Sequence, residues 1–132
     1  MPRTIAIGDV HGCADEFEEL LAKLELKPDD RVIQVGDLVN RGPDSHQVIE
    51  LAREYQVESI IGNHELRLIT AREKNKPSLL NQYDQVTLEE LTKDDWNYLE
   101  AMPKFLYDAQ IDTVIVHGGF LPNKPWQTQG SE

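Results

Sequence analysis

The first half of the chain alternates short apolar runs with amphipathic stretches. The runs from Thr4 to Ile7, Arg31 to Val35 and Val57 to Ile61 are rich in β-branched residues and predict three strands. Apolar residues recur at helical intervals from Asp15 to Leu26 and again after Pro43, and they predict two helices between the strands. The order strand, helix, strand, helix, strand predicts the parallel sheet of an α/β fold.

The second half predicts two helices and then a pair of strands. The helices are expected from Glu65 to Lys74 and from Leu88 to Leu99, and Thr87 and Glu90 fit a capping box for the second one. The strands are expected from Lys104 to Ala109 and from Thr113 to Val116. No linker or repeat interrupts the pattern, so we expect a single domain over residues 1–132.

Four polar clusters follow the predicted strands. They are Gly8-Asp9-Val10-His11-Gly12, Gly36-Asp37-Leu38-Val39-Asn40-Arg41-Gly42, Gly62-Asn63-His64-Glu65 and Val116-His117-Gly118-Gly119. Ligands of parallel sheets bind beyond the carboxyl ends of the strands, so the side chains of these clusters are expected to converge. Carboxylate and amide oxygens with imidazole nitrogens suit manganese, iron, zinc or cobalt better than copper. Two such ions roughly 3.5–4 Å apart hydrolyse phosphate esters and anhydrides.

Each cluster taken singly also has a purely structural interpretation. Asp37 could cap a helix, Asn63 and His64 could form a surface turn, and His117 could be a loop histidine. The metal-site interpretation is favoured because all four clusters occur in order and at strand ends.

Composition narrows the classes of partner. The 132 residues include 13 Lys and Arg against 24 Asp and Glu, which gives a formal net charge of -11. Such a surface repels phosphate backbones, so nonspecific nucleic-acid binding is not expected. An anionic phosphate substrate has to be attracted locally, by metal ions and one or two arginines.

The distribution of cysteine and of apolar residues bears on location. The single cysteine, Cys13, excludes an intramolecular disulfide and is typical of a reducing compartment. The chain has no apolar run of the length that a signal peptide or a membrane helix needs. We therefore expect a cytoplasmic protein without a membrane segment. Among the aromatic residues, Trp96 and Tyr98 are expected to pack in the core, and Trp126 is a candidate for stacking on a nucleobase or for packing.

The four clusters resemble the motifs of the calcineurin-like metallophosphoesterases, in their phosphoprotein-phosphatase branch. That branch has Gly-Asp-x-His-Gly, Gly-Asp-x-Val-x-Arg-Gly, Gly-Asn-His-Glu and His-Gly-Gly, and residues 8–12, 36–42, 62–65 and 117–119 match all four. The sequence around the second and fourth motifs is more similar to that of the bacterial symmetrical diadenosine tetraphosphate hydrolases than to that of eukaryotic protein phosphatases. The resemblance implies an α/β sandwich with a metal site at the strand ends and an incomplete second sheet.

The resemblance also implies a metal ligand for each motif. Asp9 and His11 would bind the first ion, Asp37 would bridge both ions, and Asn63 and His117 would bind the second. The carboxylate is the natural bridge because it has two oxygens. Two divalent ions are expected, manganese first, with iron, zinc, cobalt or magnesium as alternatives.

The remaining catalytic roles fall on the second and third motifs. Arg41 would hold a phosphate oxygen, and Asn63 and His64 would also contact the substrate. His64 would be the general acid toward the leaving oxygen, or would stabilise the transition state as an imidazolium donor. Asn40 stands where protein phosphatases of this branch usually have aspartate, so it could orient His64 without stabilising its charge. On sequence grounds, Asn40→Asp is expected to keep or raise activity on phosphate monoesters.

The sequence therefore predicts a two-metal phosphohydrolase that uses an activated water. Dinucleoside polyphosphates are the first expected substrate class, and phosphoproteins are the second. The family continues beyond His-Gly-Gly to another metal-binding histidine, whereas this sequence stops at Glu132 and resembles a truncated member. A catalytically weak module that binds metal or phosphate is thus the rival hypothesis, and a homodimer is expected to cover the apolar surface left by the missing half.

Overall fold

The computed structural model describes residues 2–75 and 80–119. Trp126 lies outside these residues. The elements in chain order are β1 (Thr4–Ile7), α1 (Ala14–Lys23), β2 (Arg31–Gln34), α2 (Ser45–Glu54), β3 (Glu58–Ser59), α3 (Asn63–Lys74), α4 (Gln82–Glu90), α5 (Lys93–Glu100), β4 (Phe105–Asp108) and β5 (Thr113–Val116).

The first three strands form a parallel sheet in the order β1, β2, β3. Thr4 lies opposite Arg31 in the first pair, and Ile33 lies opposite Glu58 in the second. This topology confirms the α/β fold and puts the carboxyl ends of all three strands at one edge. β3 is shorter than predicted, and α3 begins at Asn63 instead of Glu65, so the third polar cluster forms the first turn of a helix.

The helices of the first half bury one apolar face each. Phe17 and Leu21 of α1 are buried, as are Val48, Ile49, Leu51 and Ala52 of α2. Burying a Val, Leu, Ile or Phe side chain stabilises the fold by about 1.5–3 kcal/mol relative to leaving it exposed. α1 ends before Leu26, the predicted end, because Glu25 adopts a left-handed backbone with φ 48°. Leu26 still packs against the core.

The single helix predicted from Leu88 to Leu99 is wrong. The chain forms two helices there, α4 and α5, and Leu91 between them is extended, with φ -75° and ψ 134°. Thr87 is not a cap but an interior residue of α4. The sequence pattern misleads because Thr87 and Glu90 have the spacing of a capping box, which does not by itself fix a helix start.

Two other capping boxes start these helices. The side chain of Asn81 accepts a hydrogen bond from the backbone N–H of Asp84, and Asp84 accepts one from the N–H of Asn81. Thr92 and Asp95 repeat the arrangement at the start of α5. Both boxes satisfy backbone donors that the first turn leaves unpaired, so two short helices form in place of a long one.

The last two strands form an antiparallel hairpin that contacts the parallel sheet. Asp108 at the end of β4 accepts a hydrogen bond from Thr4 Oγ1 across 2.5 Å, and the N–H of Ile61 donates to the carbonyl oxygen of Pro103. The hairpin thereby brings the end of β5, and His117 after it, to the edge where β1 to β3 end. Among the described residues, no helix combines the length and the apolar character needed to cross a membrane.

Candidate metal centre

Asp37 lies in the middle of the side chains that the four motifs supply. Its Oδ2 atom is 3.9 Å from His11 Nε2 and 3.4 Å from His117 Nε2, and Asp9 Oδ2 is 3.5 Å from His11 Nε2. In the described part of the chain, Asp37 belongs to two groups of candidate ligands whose ligand atoms lie within 4.8 Å of one another, one with His11 and His64 and one with Asp9 and His117. Its carboxylate is therefore shared by both groups.

Two of the three histidines present an unprotonated nitrogen to this centre. His117 Nδ1 lies 2.8 Å from the carbonyl oxygen of Val35, and His11 Nδ1 lies 3.4 Å from that of Val39. A carbonyl oxygen only accepts, so Nδ1 carries the proton in both rings and Nε2 keeps its lone pair. A backbone carbonyl behind the ring is the usual support of a metal-binding histidine.

His64 has the opposite arrangement. Its Nδ1 atom faces two donors, Asn40 Nδ2 at 3.0 Å and Arg67 Nη2 at 3.3 Å. Nδ1 therefore accepts, the proton lies on Nε2, and neither nitrogen has a lone pair free for a metal. Burial lowers the pKa of His64. The charge of Asp37 opposes this shift, and the charges of Arg67 and Arg41 add to it. His64 is thus a neutral hydrogen-bond donor at the edge of the centre.

The Asn63 amide can serve the centre in either of its two orientations. One of its two polar atoms lies 3.0 Å from His117 Nε2, and 3.0 and 3.2 Å from the carboxylate oxygens of Asp37. An amide nitrogen at this position would donate to these atoms, whereas an oxygen there completes a set of lone pairs with no proton among them. A divalent ion requires the second arrangement, in which the amide oxygen faces His117 and Asp37. Rotation of the amide group by 180° exchanges its oxygen and nitrogen and so converts one arrangement into the other. The residues present therefore fit a divalent metal.

Close backbone approaches allow the centre to be this compact. A Cβ at Gly36 would lie 2.5 Å from His117 Nδ1, and one at Gly62 would lie 2.3 Å from Asp37 Oδ1. Gly36 also has φ +100°, a conformation that side chains rarely adopt. Asp37, Asn40 and Arg41 adopt left-handed backbones as well, with φ of 56°, 79° and 74°. The loop after β2 is therefore strained.

Glu65 is a supporting residue to which the sequence reasoning gave no role. Its side chain is fully buried, and Oε1 accepts from the N–H groups of Asp37 at 2.8 Å and Gly62 at 2.9 Å, while Oε2 accepts from that of Val39 at 3.3 Å. Burial raises the pKa of Glu65 to about 7. The carboxylate ties the loop that carries Asp37 to the start of α3. The sequence feature that could have indicated this role is the position of Glu65 within the third motif.

Asp84 is the second residue that sequence reasoning missed. It is fully buried, and it accepts two hydrogen bonds from Arg67, Nε to Oδ2 and Nη2 to Oδ1, both 2.8 Å long, and a third from Asn40 Nδ2. Burial acts to raise the pKa of Asp84, but the hydrogen bonds from Arg67, Asn81 and Asn40 lower it overall. No local pattern marks this residue, because its partner Asn40 is 44 positions away.

The other predicted residues lie at the exposed side. Asp9, Arg41 and Asn63 are exposed, and Arg41 is near enough for its charge to lower the pKa of His64. Asn40 is buried behind His64. The structure thus brings every predicted site residue to one edge of the sheet, with the charge of Arg41 facing solvent, where an anionic group could reach it.

Comparisons with known proteins identify the family of this chain. The sequence profile of the calcineurin-like phosphoesterases matches residues 2–130. Two relatives are named symmetrical bis(5'-nucleosyl)-tetraphosphatase. The one from Serratia proteamaculans is 38% identical over 90% of this chain, and the one from Chromohalobacter salexigens is 35% identical over 98%. The chain spans only 44% and 48% of their lengths.

Solved structures give the same picture. A protein provisionally described as a diadenosine tetraphosphatase superimposes with a TM-score of 0.84 at 31% identity, over 97% of this chain and 55% of that one. A metallophosphoesterase from Sphaerobacter thermophilus gives a TM-score of 0.65 at 28% identity, over 80% of this chain and 42% of that one.

Proposed function

This chain belongs to the calcineurin-like phosphoesterase family, and we propose from that membership that it hydrolyses phosphate esters or anhydrides with divalent metal ions. The resemblance seen in the four sequence motifs is thereby confirmed. The observation that carries the proposal is the contrast among three histidines. His11 and His117 turn an unprotonated Nε2 toward Asp37, whereas His64 keeps its Nε2 proton.

The assignment of metal ligands follows this contrast. One ion would be held by Asp9, His11 and Asp37, and the other by Asp37, Asn63 and His117. Ions bound there would supply positive charge to phosphoryl oxygens and would lower the pKa of water. Manganese is the first candidate because the set mixes carboxylate and amide oxygens with imidazole. His64 is left out of both sets since its nitrogens have no free lone pair.

The protein side chains would bind and orient the phosphate. Arg41, exposed beside the centre, would hold a nonbridging oxygen with its planar fork of donors. His64 would donate its Nε2–H to a phosphoryl oxygen or to the leaving oxygen. The two donors at Nδ1 favour a neutral hydrogen-bond donor over the general acid, because an imidazolium would need an acceptor at Nδ1.

Dinucleoside tetraphosphates are the proposed substrate class. The names of the relatives support them over phosphoproteins, and Asn40 replaces the aspartate that protein phosphatases of the same branch usually have. The rival hypothesis of a module that binds metal without turnover remains to be tested, since the chain spans less than half of these relatives. The homodimer and the cytoplasmic location also stay predictions, and light scattering of the purified chain tests the first.

The test is hydrolysis of diadenosine tetraphosphate by the purified chain, with and without manganese. We expect ADP as the product by chromatography, slower release of phosphate from a phosphothreonine peptide, and no turnover after chelation. Asp37→Asn is the inactive control. Manganese binding by calorimetry without product from either substrate would reject hydrolysis and support the binding module.

A further inference from the structure

We propose that Asp84 is a positioning residue, which acts through Asn40 to fix the side of the His64 ring that carries the proton. The catalytic meaning of this inference rests on the proposed function, but its structural content does not. The contacts run in three steps from the buried carboxylate of Asp84 to the amide of Asn40 and then to the imidazole of His64.

The first step is the charge of Asp84. The carboxylate is fully buried on α4 and pairs with the guanidinium of Arg67 through two parallel hydrogen bonds of 2.8 Å. A bidentate pair of this kind favours the ionised carboxyl. An ionised carboxylate only accepts hydrogen bonds, so any neighbour must offer it a donor.

The second step is the orientation of the Asn40 amide. Asn40 Nδ2 donates to Asp84 Oδ1, and Asn40 Oδ1 accepts from Thr87 Oγ1 at 2.9 Å. Turning the amide over would place its oxygen against the carboxylate and would lose the hydrogen bond to Asp84. Because Asn40 and Asp84 are both fully buried, water cannot replace the lost donor, and only one orientation is favourable.

The third step is the His64 ring. The fixed NH2 group of Asn40 is 3.0 Å from His64 Nδ1, and Arg67 Nη2, held by Asp84, is 3.3 Å from the same atom. Both donors require a lone pair on Nδ1. The proton is therefore confined to Nε2, where it can reach a phosphoryl oxygen. Thus one buried carboxylate sets the directions of both groups behind the ring.

The experiment compares Asp84→Asn with two further variants. Thr87→Val is nearly isosteric and removes the hydroxyl that contacts Asn40 Oδ1 and the carbonyl oxygen of Tyr83, so it tests the network if Asp84→Asn folds poorly. Glu100→Gln is the matched control, since it breaks the ion pair of another α3 arginine, Arg72, whose Nη1 lies 2.6 Å from Glu100 Oε1. Two-bond ¹H–¹⁵N spectra of the metal-free chain report which nitrogen of His64 is protonated. Manganese titration and steady-state kinetics follow on the loaded chain.

We expect His64 to carry its proton on Nε2 in the native chain and in Glu100→Gln. Asp84→Asn should populate the Nδ1–H form and should lower kcat by about tenfold or more, with KM and manganese affinity unchanged. Thr87→Val should act in the same direction by less. A native His64 with the proton on Nδ1 would overturn the proposal, as would an Asp84→Asn variant with unchanged spectra. A native chain that shows the Nε2–H form without any turnover would reject the proposed function alone.

Discussion

His117 donates from Nδ1 to the carbonyl oxygen of Val35 across 2.8 Å, and this hydrogen bond joins the β4–β5 hairpin to the end of β2. Since Nδ1 is used in this way, the lone pair of Nε2 faces Asp37, 3.4 Å away. The position of the second proposed metal ligand set thus depends on how closely the hairpin approaches the loop after β2.

Gly36→Ala tests that dependence. The new Cβ would lie 2.5 Å from His117 Nδ1, and the backbone there has φ +100°, so the ring has to move. We expect a loss of about 1–3 kcal/mol in the free energy of unfolding and a second manganese ion that binds about tenfold or more weakly. Urea denaturation and calorimetry measure the two effects. Gly8→Ala is the control, because among the described residues no atom apart from those of its chain neighbours lies within 4 Å of the added Cβ.

Asp37→Asn should reduce turnover far more than His117→Gln. A bridging carboxylate serves both ions, whereas His117 serves one. We expect a loss of roughly a thousandfold or more in kcat for Asp37→Asn and about ten- to a hundredfold for His117→Gln. Steady-state kinetics at saturating manganese make the comparison. Equal and mild losses would contradict the bridging assignment.

The contacts of Asn40 in the fold predict the opposite effect of Asn40→Asp from the one expected on sequence grounds. Sequence reasoning favours a gain, because an aspartate would restore a charged partner for His64. In the fold, however, the new carboxylate would meet the ionised Asp84 in a site that is closed to water. We expect lower thermal stability and lower kcat.

The double variant Asn40→Asp/Asp84→Asn should recover stability, since it exchanges the two groups and leaves one carboxylate. Thermal melts of the single and double variants test this. A single variant as stable as the native chain would contradict the expected repulsion between the two carboxylates.

His46 should make stability depend on pH. Its Nδ1 atom lies 2.6 Å from Asp95 Oδ2, and Glu50 Oε1 lies 3.7 Å from its Nε2. The hydrogen bond with Asp95 raises the pKa of His46 above 6.5, and the charges of Glu50 and Asp44 add to the effect. A histidine whose folded pKa is raised stabilises the fold fully below about pH 6.5, and the contribution is lost as the pH rises through the folded value.

The His46 prediction is measured by urea denaturation at pH 6 and pH 8. The native chain should lose more stability between these pH values than His46→Gln does, because only the native chain has the titrating ring. An identical pH dependence in the two proteins would contradict the prediction.

Glu65→Gln should weaken the support under the centre. The glutamine offers one acceptor oxygen in place of two, and its NH2 group would face a backbone N–H. We expect a loss of about 2 kcal/mol in the free energy of unfolding and weaker manganese binding. Glu73→Gln, an exposed change on the same helix, is the control for urea denaturation and calorimetry.

The sequence predicted those features that depend on local pattern. The β-branched runs predicted β1 within its observed bounds, and the apolar spacing predicted the buried face of α2. The motifs also predicted which side chains meet at the edge of the sheet. The reason is geometric, since strand ends of a parallel sheet must lie together wherever the intervening helices pack.

Sequence reasoning failed where partners are distant along the chain. Asp84 and Thr87 meet Asn40 only after α4 has packed beside the second motif, and no periodicity encodes that contact. The same region misled the helix prediction, because the local spacing of Thr87 and Glu90 satisfied a capping rule that the fold applies at Asn81 and Thr92 instead.

The left-handed backbones of Asp37, Asn40 and Arg41 have a broader implication. An isolated peptide with this sequence would relax to ordinary extended or helical angles, and its carboxylate would no longer point where the fold aims it. The geometry that suits metal binding thus depends on the assembled sheet and on the hydrogen bonds that Glu65 accepts. The seven-residue motif is compatible with that geometry but does not determine it alone. A chain that kept the motif but lost the Glu65 side chain would still match the family by sequence, yet it would have no preformed pocket for an ion.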